Sequence, residues 1–200
     1  MVSVYDLKPR FQALLRPITA ALAKAGVTAN HVTAFAMILS VAYGAAMYVT
    51  GAASWTLIGL PFFLFIRMAL NAIDGMLARE FGHKSDAGFY LNELSDVISD
   101  AALYLPFVVI AGLSPVLVVL AVMIAALTEM AGVLALGVGS ARRYDGPFGK
   151  SDRAAAYGTL AFIMGFYAFS PLVLNIIFSL FIVLGFVTVI NRAKKGLAHA

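Results

Sequence analysis

The 200-residue chain is 62% apolar and 12% charged, with a formal net charge of +4 and no cysteine. A soluble domain carries about 25% charged residues, so this composition excludes one and points to a polytopic membrane protein. It also excludes disulfide frameworks and thiolate metal sites, and nothing in it points to nucleic acid. The first 30 residues hold Asp6, Lys8, Pro9, Arg10, Arg16, Pro17 and Lys24 with no continuous apolar stretch, unlike a cleavable signal peptide.

Residues 4–25 put Phe11, Leu14, Leu15, Ile18 and Leu22 on one helical stripe, with Lys8, Gln12, Arg16 and Lys24 opposite. The pattern predicts an amphipathic helix lying on the membrane surface, started near Pro9 and bent or split at Pro17. Spans of roughly 20 residues then follow at 31–50, 54–78, 86–111, 115–140, 153–170 and 172–191. The expected fold class is an all-α membrane protein, a six-transmembrane-helix bundle with an N-terminal amphipathic interfacial helix. Its parts are residues 1–30, the helix and lead-in; 31–193, the six-span domain; and 194–200, a short basic tail.

The connections Thr50 to Ala53, Gly112 to Ser114, and Ser170-Pro171 are short and uncharged, whereas the alternate ones are basic. Thirteen of the fourteen Lys and Arg residues fall on one side of such a bundle. The positive-inside rule makes that side, and both termini, cytoplasmic. The fourteenth, Arg67, lies inside the second span. It is twelve residues from Arg79, about 18 Å along a helix and near the midplane of a core ~30 Å thick. Asp100 and Glu129 reach a similar depth in the third and fourth spans. A lone buried charge needs a partner, so an Arg67-centred ion-pair cluster is expected. Its role is structural, with a proton or ion pathway as the sharper alternative.

Polar residues gather between Asn71 and Asp96. Asn71, Asp74 and Ala78 stand at i, i+3 and i+7 on one face of the second span; Gly88, Asn92 and Asp96 stand at i, i+4 and i+8 on one face of the third. The two spans are antiparallel neighbours across a short loop, so these faces can meet one or two turns inside the membrane. Two carboxylates beside two amide oxygens suit a hard cation such as Mg²⁺ or Mn²⁺. The three histidines, His31, His83 and His199, are scattered, which argues against zinc. Gly75 and Ala78 leave room for a ligand to approach, and Arg79 offers a fork to phosphate. Gly75, Ala78 and Gly88 also have a plainer explanation as small-residue packing positions.

This spacing resembles the signature of the CDP-alcohol phosphatidyltransferase family, Asp-x2-Asp-Gly-x2-Ala-Arg-x8-Gly-x3-Asp-x3-Asp. Six of its eight fixed positions match, and Asn71 and Asn92 replace the first and third acids. The segment from Gly26 to Thr33 is similar to a Thr-Pro-Asn-x-x-Thr element of that family, with Ala29 in the proline position. The resemblance implies a membrane transferase that moves a phosphatidyl or other phosphoalcohol group from a CDP-alcohol, CDP-diacylglycerol foremost, to a hydroxyl acceptor with release of CMP. It implies a divalent metal at Asn71, Asp74, Asn92 and Asp96, with Asp74 and Asp96 catalytic and Asp96 the general base. Gly75, Ala78, Arg79, Ser85 and Gly88, with Asn30 and Thr33, would contact the cytidine nucleotide. It further implies a homodimer in the cell's inner membrane.

The two amides remove two negative charges from a site meant for two dications. Glu93 stands about 100° off the Asn92 face, and Asp100 is one turn deeper. Weaker binding of two metals, a single-metal enzyme, and a catalytically dead nucleotide or lipid binder all stay open. Arg142, Arg143, Lys150 and Arg153 between the fourth and fifth spans can bind an anionic acceptor head, or simply set topology and meet anionic lipid. A small transporter is the remaining alternative, motivated by the midplane charges.

Overall fold

The computed structural model describes residues 4–198, with side chains from Arg10 onward. The side chains of Asp6, Lys8 and Pro9, and the whole of His199, lie outside the described residues. Among the described residues, seven α-helices run in chain order: α1 (Val4–Lys24), α2 (Ala29–Val49), α3 (Ser54–Glu80), α4 (Asp86–Tyr104), α5 (Pro115–Gly137), α6 (Lys150–Met164) and α7 (Pro171–Leu197). A 3₁₀ segment, Leu105–Val109, extends α4 where Pro106 interrupts the α-helical hydrogen bonding.

Helices α2, α3, α5 and α7 are long and apolar enough to cross a membrane. They coincide with the first, second, fourth and sixth of the spans expected from the sequence. Helix α4 carries Asp86, Glu93, Asp96 and Asp100, and α6 has only 15 residues with Lys150, Asp152 and Arg153 in its first turn. Both pack within the bundle: α2 lies against α3 and α4, α3 against α6, α4 against α5, and α5 against α7. Large apolar side chains such as Phe62, Phe65, Val116, Phe166 and Leu172 face outward. A soluble monomer rarely exposes so much contiguous apolar surface.

Helix α1 is continuous through Pro17, which lies on its exposed side beside exposed Ala13, so the carbonyl freed by the missing N–H is not buried. Its apolar stripe divides in two. Leu15, Phe11 and Leu22 pack onto α3, whereas Leu14 and Ile18 stay exposed. Thr19, fully buried, bonds back to the Leu15 carbonyl, and Arg16 pairs with Glu80 at 3.0 Å.

Two cores result. The larger joins Met47, Leu60, Leu103, Tyr104, Phe107, Tyr157 and Phe178; its Tyr104 and Tyr157 rings stack 4.0 Å apart. The smaller joins Leu15, Val32, Ile73, Met76 and Leu77 where α1, α2 and α3 meet. Above these cores the ends of α3 and α7 and the starts of α4 and α6 gather at one end of the bundle, held by the contacts described next.

Candidate active site

Local structure first fixes the walls. Thr28 caps α2, its hydroxyl accepting from the His31 amide while its own amide donates to His31 Nδ1, both at 3.3 Å. The cap sets Asn30 and Thr33 in the first turns of α2 and uses His31 structurally. At the end of α3 the chain turns through Gly82, whose φ of +74° favours glycine. Ser85 then caps α4 by accepting from the Gly88 amide at 3.0 Å. Helix α6 starts where Asp152 accepts from the Gly149 amide at 2.9 Å, which places Lys150 and Arg153 one turn apart on one side.

These elements enclose a cavity of about 730 Å³. All eight signature positions line it: Asn71, Asp74, Gly75, Ala78 and Arg79 from α3, and Gly88, Asn92 and Asp96 from α4. Asn30, Thr33 and Ser85 line it too, so every residue assigned from the sequence to metal or nucleotide faces one space. Thr33 Oγ1 donates to Asp74 Oδ2 at 2.8 Å and orients that buried carboxylate. A Cβ at Gly88 would lie 2.8 Å from Asn30 Oδ1 and 3.0 Å from Ser85 Oγ; one at Gly75 would lie 3.2 Å from the Arg79 guanidinium. The glycines therefore admit polar side chains that a larger residue would displace.

The four basic residues assigned to the acceptor do not share a fate. Only Lys150 lines the cavity, and its ammonium contacts Asp96 Oδ1 directly. Arg142 Nη2 donates to Glu93 Oε2 at 2.7 Å and to Glu129 Oε2 at 3.1 Å. Burial works against the charge on Arg142, but the hydrogen bond to Glu93 and the nearby charges of Glu93 and Glu129 together outweigh it and raise its pKa. Arg143 pairs with Asp145 at 2.9 Å. Arg153, 1% exposed, donates to Asp100 Oδ2 from Nε at 3.0 Å and from Nη2 at 2.8 Å, and to Glu129 Oε1 at 2.9 Å. Arg142, Arg143 and Arg153 are thus committed to carboxylates instead of opening onto the cavity.

The expected Arg67 cluster exists but is larger than the sequence suggested. Arg67 Nη1 meets Asp100 Oδ1 at 2.7 Å, and Nη2 stands 3.5 Å from Asp96 Oδ1. Glu129 joins through Arg153 and Arg192, the latter also donating to the Thr128 carbonyl at 2.5 Å. Arg153 and Arg192 looked like cytoplasmic-end cations in the sequence; their burial depends on helix packing that no local pattern encodes. Glu93 and Asp100 are consumed by arginines, so neither replaces the carboxylates absent at positions 71 and 92. The donor set facing the cavity is Asp74, Asp96 and the amides of Asn71 and Asn92. All are hard oxygen donors, the ligand type that Mg²⁺ or Mn²⁺ takes, while no three Asp, Glu or His side chains among the described residues cluster as a metal site.

Sequence reasoning missed His83 and Lys84 on the α3–α4 connection, Asp86 and Phe89 in the first turn of α4, Leu136 near the end of α5, and Tyr144 on the α5–α6 connection. It also missed a second cavity of about 420 Å³ between α3 and α6, lined by Pro61, Leu64, Phe65, Met68, Ala154 and Gly158. Asn71 and Lys150 border both spaces. An apolar groove opening beside a charged chamber has the form of a site for an amphipathic lipid.

The structure thus sets a mainly apolar groove beside an oxygen-rich chamber within one helical bundle. The chain belongs to the CDP-alcohol phosphatidyltransferase family, whose sequence profile matches residues 26–191. It is 43% identical over 196 residues to the inner membrane protein YnbA of Escherichia coli K12, covering 98% of this chain and 97% of that one. The fold is similar to the Mycobacterium tuberculosis phosphatidylinositol phosphate synthase PgsA1 with CDP-DAG bound. That likeness has a TM-score of 0.74 and 21% identity, covering 90% of this chain and 92% of the other. The same enzyme in complex with manganese and citrate matches with a TM-score of 0.73 and 22% identity, covering 90% and 88%.

Proposed function

We propose that this protein transfers the phosphatidyl group of a CDP-alcohol lipid, CDP-diacylglycerol foremost, to a hydroxyl acceptor and releases CMP. The observation that carries the reading is the convergence of all eight signature positions on one cavity. The family match supports the reaction class, and the relative with CDP-DAG bound supports the donor. The cytidine diphosphate head occupies the chamber, and an acyl chain leaves along the α3–α6 groove.

A divalent ion on Asp74, Asp96, Asn71 and Asn92 would bridge diphosphate oxygens and stabilise the departing CMP; the manganese-complexed relative supports that choice. Within the chain, Thr33 holds Asp74 in place, and Arg79 offers its guanidinium to phosphate. Arg67 donates to the Asp96 carbonyl at 3.3 Å and anchors the turn bearing the base. Asp96 takes the proton of the acceptor hydroxyl as that oxygen bonds to the lipid-linked phosphorus and the bond to CMP breaks. Binding both reactants in one chamber makes their encounter unimolecular.

In this reading α4 and α6 complete six crossings, α1 lies at the interface with Leu14 and Ile18 toward lipid, and the cavity opens to the cytoplasm. The basic connections support that orientation, and the relative's inner-membrane name supports the compartment. A homodimer belongs to the reading through the family resemblance. The test is CMP release from CDP-diacylglycerol in liposomes with Mg²⁺ or Mn²⁺ and a panel of hydroxyl acceptors. Release abolished by chelator and by Asp96→Asn is expected; release indifferent to both would defeat the mechanism.

A non-catalytic binder is the competing reading, favoured by the two amides and by the Lys150 contact on Asp96. It would bind CDP-lipid without forming CMP. The transporter alternative loses its motive, because the midplane acids are closed into arginine pairs.

A further inference from the structure

We propose that the acceptor of this cavity is an unphosphorylated alcohol or polyol. The inference rests on the transferase reading and names the substrate class of the same site. A phosphate monoester brings between one and two negative charges and three acceptor oxygens. Holding it beside a second anionic group, the donor's diphosphate, takes free cationic donors, most effectively a guanidinium fork.

Such donors are spent on the α5–α6 connection, α6 and α7. Four guanidiniums lie there, on Arg142, Arg143, Arg153 and Arg192, and none lines the cavity. Glu93 and Glu129 take Arg142, Asp145 takes Arg143, Asp100 and Glu129 take Arg153, and Glu129 also meets Arg192 at 3.4 Å. Arg153 and Arg192 are each 1% exposed. Turning Arg153 or Arg192 toward a substrate would take a partner from buried Glu129, and Arg153 also from buried Asp100, an arrangement far costlier than the intact pairs.

What faces the acceptor from this wall is different in kind. Leu136 and Tyr144 line the cavity, and the Tyr144 ring lies 4.3 Å beneath the Arg142 guanidinium. An aromatic face with one hydroxyl suits a neutral polyhydroxyl compound, giving it an apolar platform and a hydrogen bond. Among the described residues, Lys150 is the one cation of these segments that lines the cavity, and it contacts Asp96. The remaining cavity cations are Arg79 near the end of α3 and Lys84, with His83, on the connection leading to the α4 N-terminus, where the donor diphosphate claims them.

The experiment uses the full-length protein in lipid nanodiscs with CDP-diacylglycerol and Mn²⁺. It is offered two matched pairs, glycerol against glycerol phosphate and inositol against inositol phosphate, with lipid products measured by mass spectrometry. The expected result is a kcat/KM at least ~10-fold higher for the unphosphorylated member. Equal or greater use of the phosphorylated member overturns the proposal. A second measurement applies even without turnover: glycerol phosphate is titrated calorimetrically into donor-loaded protein. Binding tighter than about 1 mM overturns the proposal, and its absence supports it. Absence of both CMP release and donor binding would instead defeat the transferase reading beneath it.

Discussion

Arg153 on α6 holds Asp100 on α4 through two guanidinium hydrogen bonds, at 2.8 and 3.0 Å, with both residues buried. One turn along α6, partly exposed Lys150 meets Asp96 through a single ammonium contact. A pair of cations on one helix thus grips a pair of acids on another, and the deeper grip sets the position of the shallower one. The deeper pair is structural, whereas the shallower one borders the chemistry.

Replacing Arg153 by Met leaves Asp100 and Glu129 with fewer partners in a low-dielectric interior. We predict a loss of about 3–5 kcal/mol, measured by denaturant unfolding in detergent. The double variant Arg153→Met with Asp100→Asn removes charge from both sides and should recover part of that loss. If the single variant unfolds like the wild type, the buried pair is not holding α6 to α4.

Gly88→Ala tests the nucleotide wall. The added methyl would lie 2.8 Å from Asn30 Oδ1 and 3.0 Å from Ser85 Oγ, so these side chains must move. Cytidine nucleotide affinity should fall by roughly 10-fold, or ~1.4 kcal/mol, with little change in thermal stability. An unchanged Kd by calorimetry would remove Asn30 and Ser85 from nucleotide binding.

Restoring acids at the two amide positions should tighten cation binding. Asn71→Asp with Asn92→Asp adds two negative charges to a set that now presents two carboxylates. Mn²⁺ affinity, read by electron paramagnetic resonance, should rise at least ~10-fold, because carboxylate count tunes affinity for hard cations. Equal affinity in both proteins would mean that positions 71 and 92 do not face the ion.

The loop before α6 carries a pH-sensitive tie. The hydrogen bond from Lys195 and that from Arg143 hold the Asp145 carboxyl below its usual range. A depressed folded-state pKa contributes stability that is complete above the ordinary carboxylate value of about 4 and is lost as pH falls through the folded value. The Tm difference between wild type and Asp145→Asn should therefore be present at neutral pH and close in acid. A difference that persists unchanged in acid would contradict the tie.

The site was more legible in the sequence than the fold. Spacings of three and four residues on two antiparallel helices were enough to bring Asp74 and Asp96 to one chamber, because helical geometry is local. Arg153 and Arg192 were not legible, since their partners Asp100 and Glu129 lie 53 and 63 residues away in the chain. A basic residue at a helix end looks the same whether it points to water or inward. Helix ends and continuity were less legible as well. Helix α6 stops at Met164, short of the apolar run, and α1 passes through Pro17 because the freed carbonyl needs no buried partner.

The central claim is that the facing sides of α3 and α4 hold a cation and a cytidine diphosphate together. Calorimetric titration of CDP into the purified protein tests it most directly, with Mn²⁺, with chelator, and with Asp74→Asn in place of the wild type. Binding with Mn²⁺ that weakens at least ~10-fold in the other two arms is the predicted result. CDP bound equally well in all three would contradict it.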